Sequence, residues 1–84
     1  MKELESEFTG KGETKGFTFR KLAQNQNAFL YEVRTSHTAI HWEVFRKKEN
    51  TQYNCISYPT SKAFGIWAWT LTNIEDAITK FNSL

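Results

Sequence analysis

Three runs in this chain alternate apolar and polar residues with a period of two: "GFTFRKLA" (16–23), "AFLYEVR" (28–34) and "TAIHWEVFR" (38–46). Successive strand side chains point to opposite faces, so this alternation predicts half-buried antiparallel strands. The Phe, Tyr, Trp, Val and Ile residues in the runs suit a pleated surface. The second and third runs also constrain each other. A hairpin centred between Ser36 and His37 sets Val33 opposite Ile40, Tyr31 opposite Trp42 and Phe29 opposite Val44. All six then share one face, as register and alternation require.

Beyond the polar turn "RKKENTQ", the run "YNCISY" predicts a further short strand, ended by Pro59, the chain's one proline. Proline removes a ladder donor and disfavours helix at the residue before it, Tyr58. The segment "FGIWAWTL" (64–71) reads as another extended stretch, with Phe64, Ile66 and Ala68 on one side and Trp67, Trp69 and Leu71 on the other. In "LTNIEDAITKFNSL", Thr72 stands three residues before Glu75, the capping-box spacing. Ile74, Ala77, Ile78 and Phe81 follow as one helical stripe. Glu75 and Asp76 near its start and Lys80 near its end complement the helix dipole.

The expected fold is therefore α+β: an antiparallel sheet of four or five strands with one C-terminal helix packed on one face. It fills one small domain over residues 1–84, with 1–16 an irregular or edge segment, 17–71 the sheet and 72–83 the helix. The expected core is Phe17, Phe19, Phe29, Tyr31, Val33, Ile40, Trp42, Val44, Ile56, Ile78 and Phe81. Aromatic residues make up 15% of the 84 residues, which compensates for the small core a short chain can build.

Several functional classes find little support. No apolar run approaches the roughly 20 residues of a membrane span, and the start "MKELESEF" lacks the apolar stretch of a signal peptide. A soluble protein with no membrane partner is expected. Cys55 is the single cysteine, which excludes an internal disulfide and fits a reducing compartment as a structural thiol. The glycines of "TGKGETKG" do not have phosphate-loop spacing and precede a strand rather than a helix. His41 and Glu43 lie two apart on one strand, and the proposed hairpin sets Glu32 opposite His41. This predicts a surface polar pair; with His37 it falls short of a zinc ligand set. No catalytic arrangement, metal site or cofactor loop emerges, so an enzyme is not expected.

Two binding readings remain. "FRKK" sets Phe45 beside Arg46, Lys47 and Lys48, and Arg20, Lys21 and Arg34 would extend it if the sheet gathers those strands. An exposed ring among cations is how small sheets stack and hold single-stranded nucleic acid. The net charge of +2 alone does not demand that partner. Phe64, Trp67 and Trp69 are the candidate anchors of a protein interface. Self-association into a homodimer through a free sheet edge belongs to the same class.

The stretches "FTGKGETKGFTFRKL", "HWEVFRKK" and "YPTSKAFGIWAWTLTNIEDAITKFNSL" resemble small uncharacterised proteins encoded by phages and mobile elements of gut Bacteroidales. The resemblance covers most of the chain from Phe8 onward. It implies a setting in the cytoplasm of a bacterial host and transfers no functional residue. A non-catalytic binding protein acting on a host protein or on itself is the leading expectation. A single-stranded nucleic-acid module is the alternative.

Overall fold

The structure, a computed structural model, describes residues 1–35 and 39–84. Five antiparallel strands form one sheet: β1 (Glu7–Thr9), β2 (Thr18–Gln24), β3 (Ala28–Arg34), β4 (Ile40–Arg46) and β7 (Ala68–Leu71), in the order β1-β2-β3-β4-β7. A separate two-stranded ribbon pairs β5 (Glu49–Asn50) with β6 (Cys55–Ile56). The C-terminal helix α1 (Ile74–Asn82) lies against β3, β4 and β7. The fold is the α+β sheet with one packed helix that the alternation and the stripe predict.

The register between β3 and β4 differs from expectation by one residue. Val33 stands opposite His41, Tyr31 opposite Glu43 and Phe29 opposite Phe45; Trp42 stands opposite Glu32. A one-residue slip exchanges the faces of a strand. Phe29, Tyr31 and Val33 thus share a face with Phe45, while Trp42 and Val44 join Leu30 on the other. The expected turn centre, Ser36–His37, lies outside the described residues. At its margins, Thr35 donates its backbone N–H to Ala39 O at 3.0 Å, closing a connection longer than the two-residue turn that the expected pairing needs. Two-residue hairpin turns favour Gly or Asn at positive φ, and Ser-His supplies neither.

The slip is tolerated because both faces of the sheet are covered. On the helix side, Ala28, Leu30 and Val44 pack with Ala77 and Phe81, joined by Trp42, Leu71 and Leu84. On the second side, Phe19, Phe29, Tyr31, Val33, Phe45 and Ala68 pack beneath Ile56 and Ala63. Leu22 is the extra residue of a bulge in β2: Lys21 pairs with Tyr31, but Ala23 pairs with Leu30. The bulge turns Ala23 toward the helix-side core.

Among the described residues no α-helix covers the second face; irregular chain segments do. The N-terminal residues run across it, held by Tyr31 Oη donating to Glu5 O at 2.6 Å and Lys21 Nζ donating to Leu4 O at 3.0 Å. Lys2 ties the same segment to β6: its N–H donates to Asn54 O, and its carbonyl accepts from Ile56 N. Asn54 takes φ +52° in the ribbon's turn, a left-handed conformation that Asn tolerates better than most residues.

Two expected core residues lie outside it: Ile40 is 37% and Ile78 45% exposed. The buried stripe of α1 runs through Ala77 and Phe81 toward Leu84, which leaves Ile78 at its side. Phe17 and Trp42 are partly buried around the two cores. The Trp42 indole N–H is buried with no hydrogen-bond partner among the described residues.

"FGIWAWTL" is not one extended stretch. A 3-10 turn (Ser61–Ala63) leads into a reversal at Gly65, φ +89°, where Gly65 N–H donates to Ala68 O at 2.7 Å. The strand begins only at Ala68, and Ile66 at the loop tip is 73% exposed. The helix start also differs. The cap is Asn73, whose Oδ1 accepts from Glu75 N at 2.7 Å and Asp76 N at 3.3 Å. The helix therefore spans Ile74–Asn82 rather than 72–83. Asn73→Ala is expected to cost about 1 kcal/mol in urea unfolding, whereas Thr72→Ala leaves the midpoint nearly unchanged. The reverse ranking would restore Thr72 as the cap.

Candidate functional site

The covering segments of the second face touch at Lys2–Cys55 and at Phe8–Tyr58 without closing it. Between the N-terminal run and residues 55–64 opens a cleft of about 940 Å³. Leu4, Phe8, Ile56, Pro59 and Phe64 supply its apolar lining, and Glu43 and Tyr58 lie within it.

Tyr58 is the side chain around which the cleft is built. Two residues past β6 and just before Pro59, it sends its ring onto the sheet. There it meets Phe8, Phe19, Tyr31 and Phe45 edge-on, with centroids 4.8–5.4 Å away. Edge-to-face contacts at such distances are favourable beyond the area they bury. Phe8 also stacks on Phe19 at 4.7 Å, which fastens the edge strand β1 to the cluster. The Tyr58 hydroxyl donates to Glu43 Oε1 at 2.6 Å. The other carboxylate oxygen, Oε2, accepts from His41 Nε2 at 3.0 Å, which places the imidazole proton on Nε2.

The pair expected at the surface from His41 and Glu43 is thus real but partly buried, and its third member is Tyr58 rather than Glu32. Glu32 turns to the helix side and accepts from Arg34 Nε at 3.0 Å. Burial, then the nearby Glu43 charge and its hydrogen bond, holds the Tyr58 hydroxyl far above its ordinary titration range. Burial, with the Glu5 charge second, raises Tyr31 as well. The arrangement favours neutral phenols donating to an acceptor, and none of its groups is set up as a free nucleophile.

The nucleic-acid site is not assembled as expected. Phe45 does project opposite Trp42, but its ring is 0% exposed, packed among Phe29, Tyr31, Tyr58 and Trp67. It offers no stacking surface. Arg34 stands opposite Ile40 and Arg46 opposite Ala28, at opposite ends of the β3–β4 pair. At about 3.3 Å per residue, six positions separate them by roughly 20 Å. Arg20 lies near the Arg34 end, opposite Glu32. Arg46 and Lys47 are exposed, and Lys48 sits over the Trp67 ring at 5.8 Å.

The candidate protein anchors are also dispersed. Phe64 lines the cleft, and Trp67 packs edge-on against Phe45 on the second face. Trp69 lies on the helix side beneath Lys80 Nζ, 3.9 Å from its centroid. His37 lies outside the described residues, and among those described no three His, Cys, Asp or Glu side chains are placed to hold a metal ion. No described helix is long and apolar enough to cross a membrane. Sequence reasoning placed Tyr58 at the end of the strand expected in "YNCISY", but β6 stops two residues earlier, at Ile56. The one local signal at Tyr58 was the extended backbone that Pro59 imposes.

No family model, curated protein or solved structure matches this chain.

Phe45→Ala is expected to cost about 3–5 kcal/mol in chemical denaturation; an unchanged stability would mean the ring is not in a core. The raised tyrosines give a second expectation. A tyrosine held neutral in the native state binds its proton more tightly there than in the unfolded chain. Its stabilisation is complete below about pH 10 and is lost as pH rises above that value. Urea unfolding free energy should therefore fall by up to about 1.4 kcal/mol per pH unit for each of Tyr31 and Tyr58. Tyr58→Phe should halve that slope, and an unaltered slope would place its hydroxyl in water.

Proposed function

We propose that this chain is a non-catalytic binding protein whose working surface is the cleft of the second face, and that its partner is another protein. The observation that carries the reading is the cleft itself, about 940 Å³ with Phe8, Phe64, Ile56 and Pro59 in its lining. Concave, largely apolar sites with a few convergent polar groups are where ligands gain most from burial. The polar groups here favour binding over catalysis. Glu43 is shared between two donors, and Tyr58 keeps its proton.

The resemblance to phage and mobile-element proteins makes a host protein in the bacterial cytoplasm the favoured partner. Self-association is the other route within the same class. The nucleic-acid reading is weaker because its stacking ring, Phe45, is buried and its arginines are split between two ends of the sheet.

The test blocks the cleft without touching a core. Thr60 is exposed at the cleft, and Thr60→Trp would fill space there; Ile78→Glu alters the helix side instead. In pull-downs from nuclease-treated bacterial lysate, wild type and Ile78→Glu should retain a stoichiometric protein that Thr60→Trp loses. Retention by Thr60→Trp, or loss on nuclease treatment, would overturn the reading.

A further inference from the structure

The charge of the cleft runs against the charge of the chain. Its lining holds Glu3, Glu5, Glu13 and Glu43 against Lys2 and Lys11, a local balance of −2 in a protein of net +2. Three of the four carboxylates lie on the exposed N-terminal segments. Glu43 alone is recessed, its side chain 13% exposed, among the aromatic rings on the floor. Tyr58 and His41 each give it one hydrogen bond, one per oxygen. A carboxylate has about four acceptor sites, so acceptor capacity is left on both oxygens.

We propose that the cleft seats the side chain of a lysine carried by a segment of the partner protein, with its ammonium against Glu43. This rests on the reading of the cleft as the protein-binding surface and names the chemistry it selects. The four-carbon stem of lysine suits an apolar wall such as Leu4, Phe8 and Phe64 provide, while its head needs a charged or aromatic partner at depth. The Tyr58 and His41 bonds hold the carboxylate in place before a ligand arrives, which limits the ordering cost of binding. An arginine fork needs both oxygens free along one edge. Here each oxygen already accepts a bond, so a compact ammonium fits the remaining acceptor sites better. The outer carboxylates add a field that draws cations toward the mouth.

The probe is a set of capped tripeptides, Leu-Lys-Leu, Leu-norleucine-Leu and Leu-Glu-Leu, titrated into the ¹⁵N-labelled full chain. Norleucine keeps the apolar stem and removes the charge. The lysine peptide should give saturable amide shifts at Phe8, Glu43, Tyr58 and Phe64. Its affinity should exceed that of norleucine by about tenfold or more, as a hydrogen bond to a charged group implies. The glutamate peptide should not enter. Glu43→Gln, with its spectrum checked for native dispersion, should equalise lysine and norleucine. Ile78→Glu, on the helix side and outside the cleft, should keep the preference for lysine.

Equal binding of lysine and norleucine in the wild-type cleft would overturn the cation inference and leave the cleft reading standing. Shifts that map elsewhere, or none that saturate, would overturn both. If Thr60→Trp still retains the lysate partner while the lysine peptide enters the wild-type cleft, the selectivity of the cleft for lysine would stand and its assignment to that partner would fall.

Discussion

The hydrogen bond from Tyr58 to Glu43 closes the second face of the sheet, and much of the molecule is arranged around it. A phenol sent inward from a loop must find an acceptor when its ring is buried, because an unpaired buried hydroxyl is costly. Glu43, pointing up from the middle of β4, supplies that acceptor at 2.6 Å. With the hydroxyl anchored, the ring wedges among Phe8, Phe19, Tyr31 and Phe45. Strands β1 to β4 and the loop after β6 are thereby joined through one side chain. The same bond keeps a carboxylate beneath an aromatic cluster, giving the cleft its single recessed charge.

The two layers on the sheet differ in kind. On one side a nine-residue helix packs small and aliphatic residues, Ala77 with Ala28, Leu30 and Val44, and closes the layer with Phe81. On the other, irregular chain packs aromatic rings and is secured by individual polar contacts, Tyr31 to Glu5 O and Lys21 to Leu4 O. A helix satisfies its own backbone and presents a continuous surface. Irregular segments cannot, so they cover the sheet in straps and leave space between them. The cleft follows from that difference: it opens between the N-terminal run and residues 55–64, which touch at Lys2–Cys55 and Phe8–Tyr58 without sealing the face.

The amino-acid sequence determined the elements. Period-two alternation placed β2, β3 and β4, and the stripe through Ala77 and Phe81 placed α1, because these patterns express local backbone geometry and repeat within one element. Only the tertiary structure decided which faces those elements share. β3 is buried on both sides from Ala28 through Tyr31, so hydrophobicity could not choose its register with β4, and a two-residue turn and a one-sided core were the wrong assumptions. The consequence fell on single residues: Phe45 moved from candidate stacking ring to core, and His41 and Glu43 gained Tyr58 as a partner 15 positions beyond Glu43. A contact of that kind depends on where a loop folds back in space. Spacing along the chain encodes the period of a strand or helix, but it carries no record of which loop side chain will land on which strand.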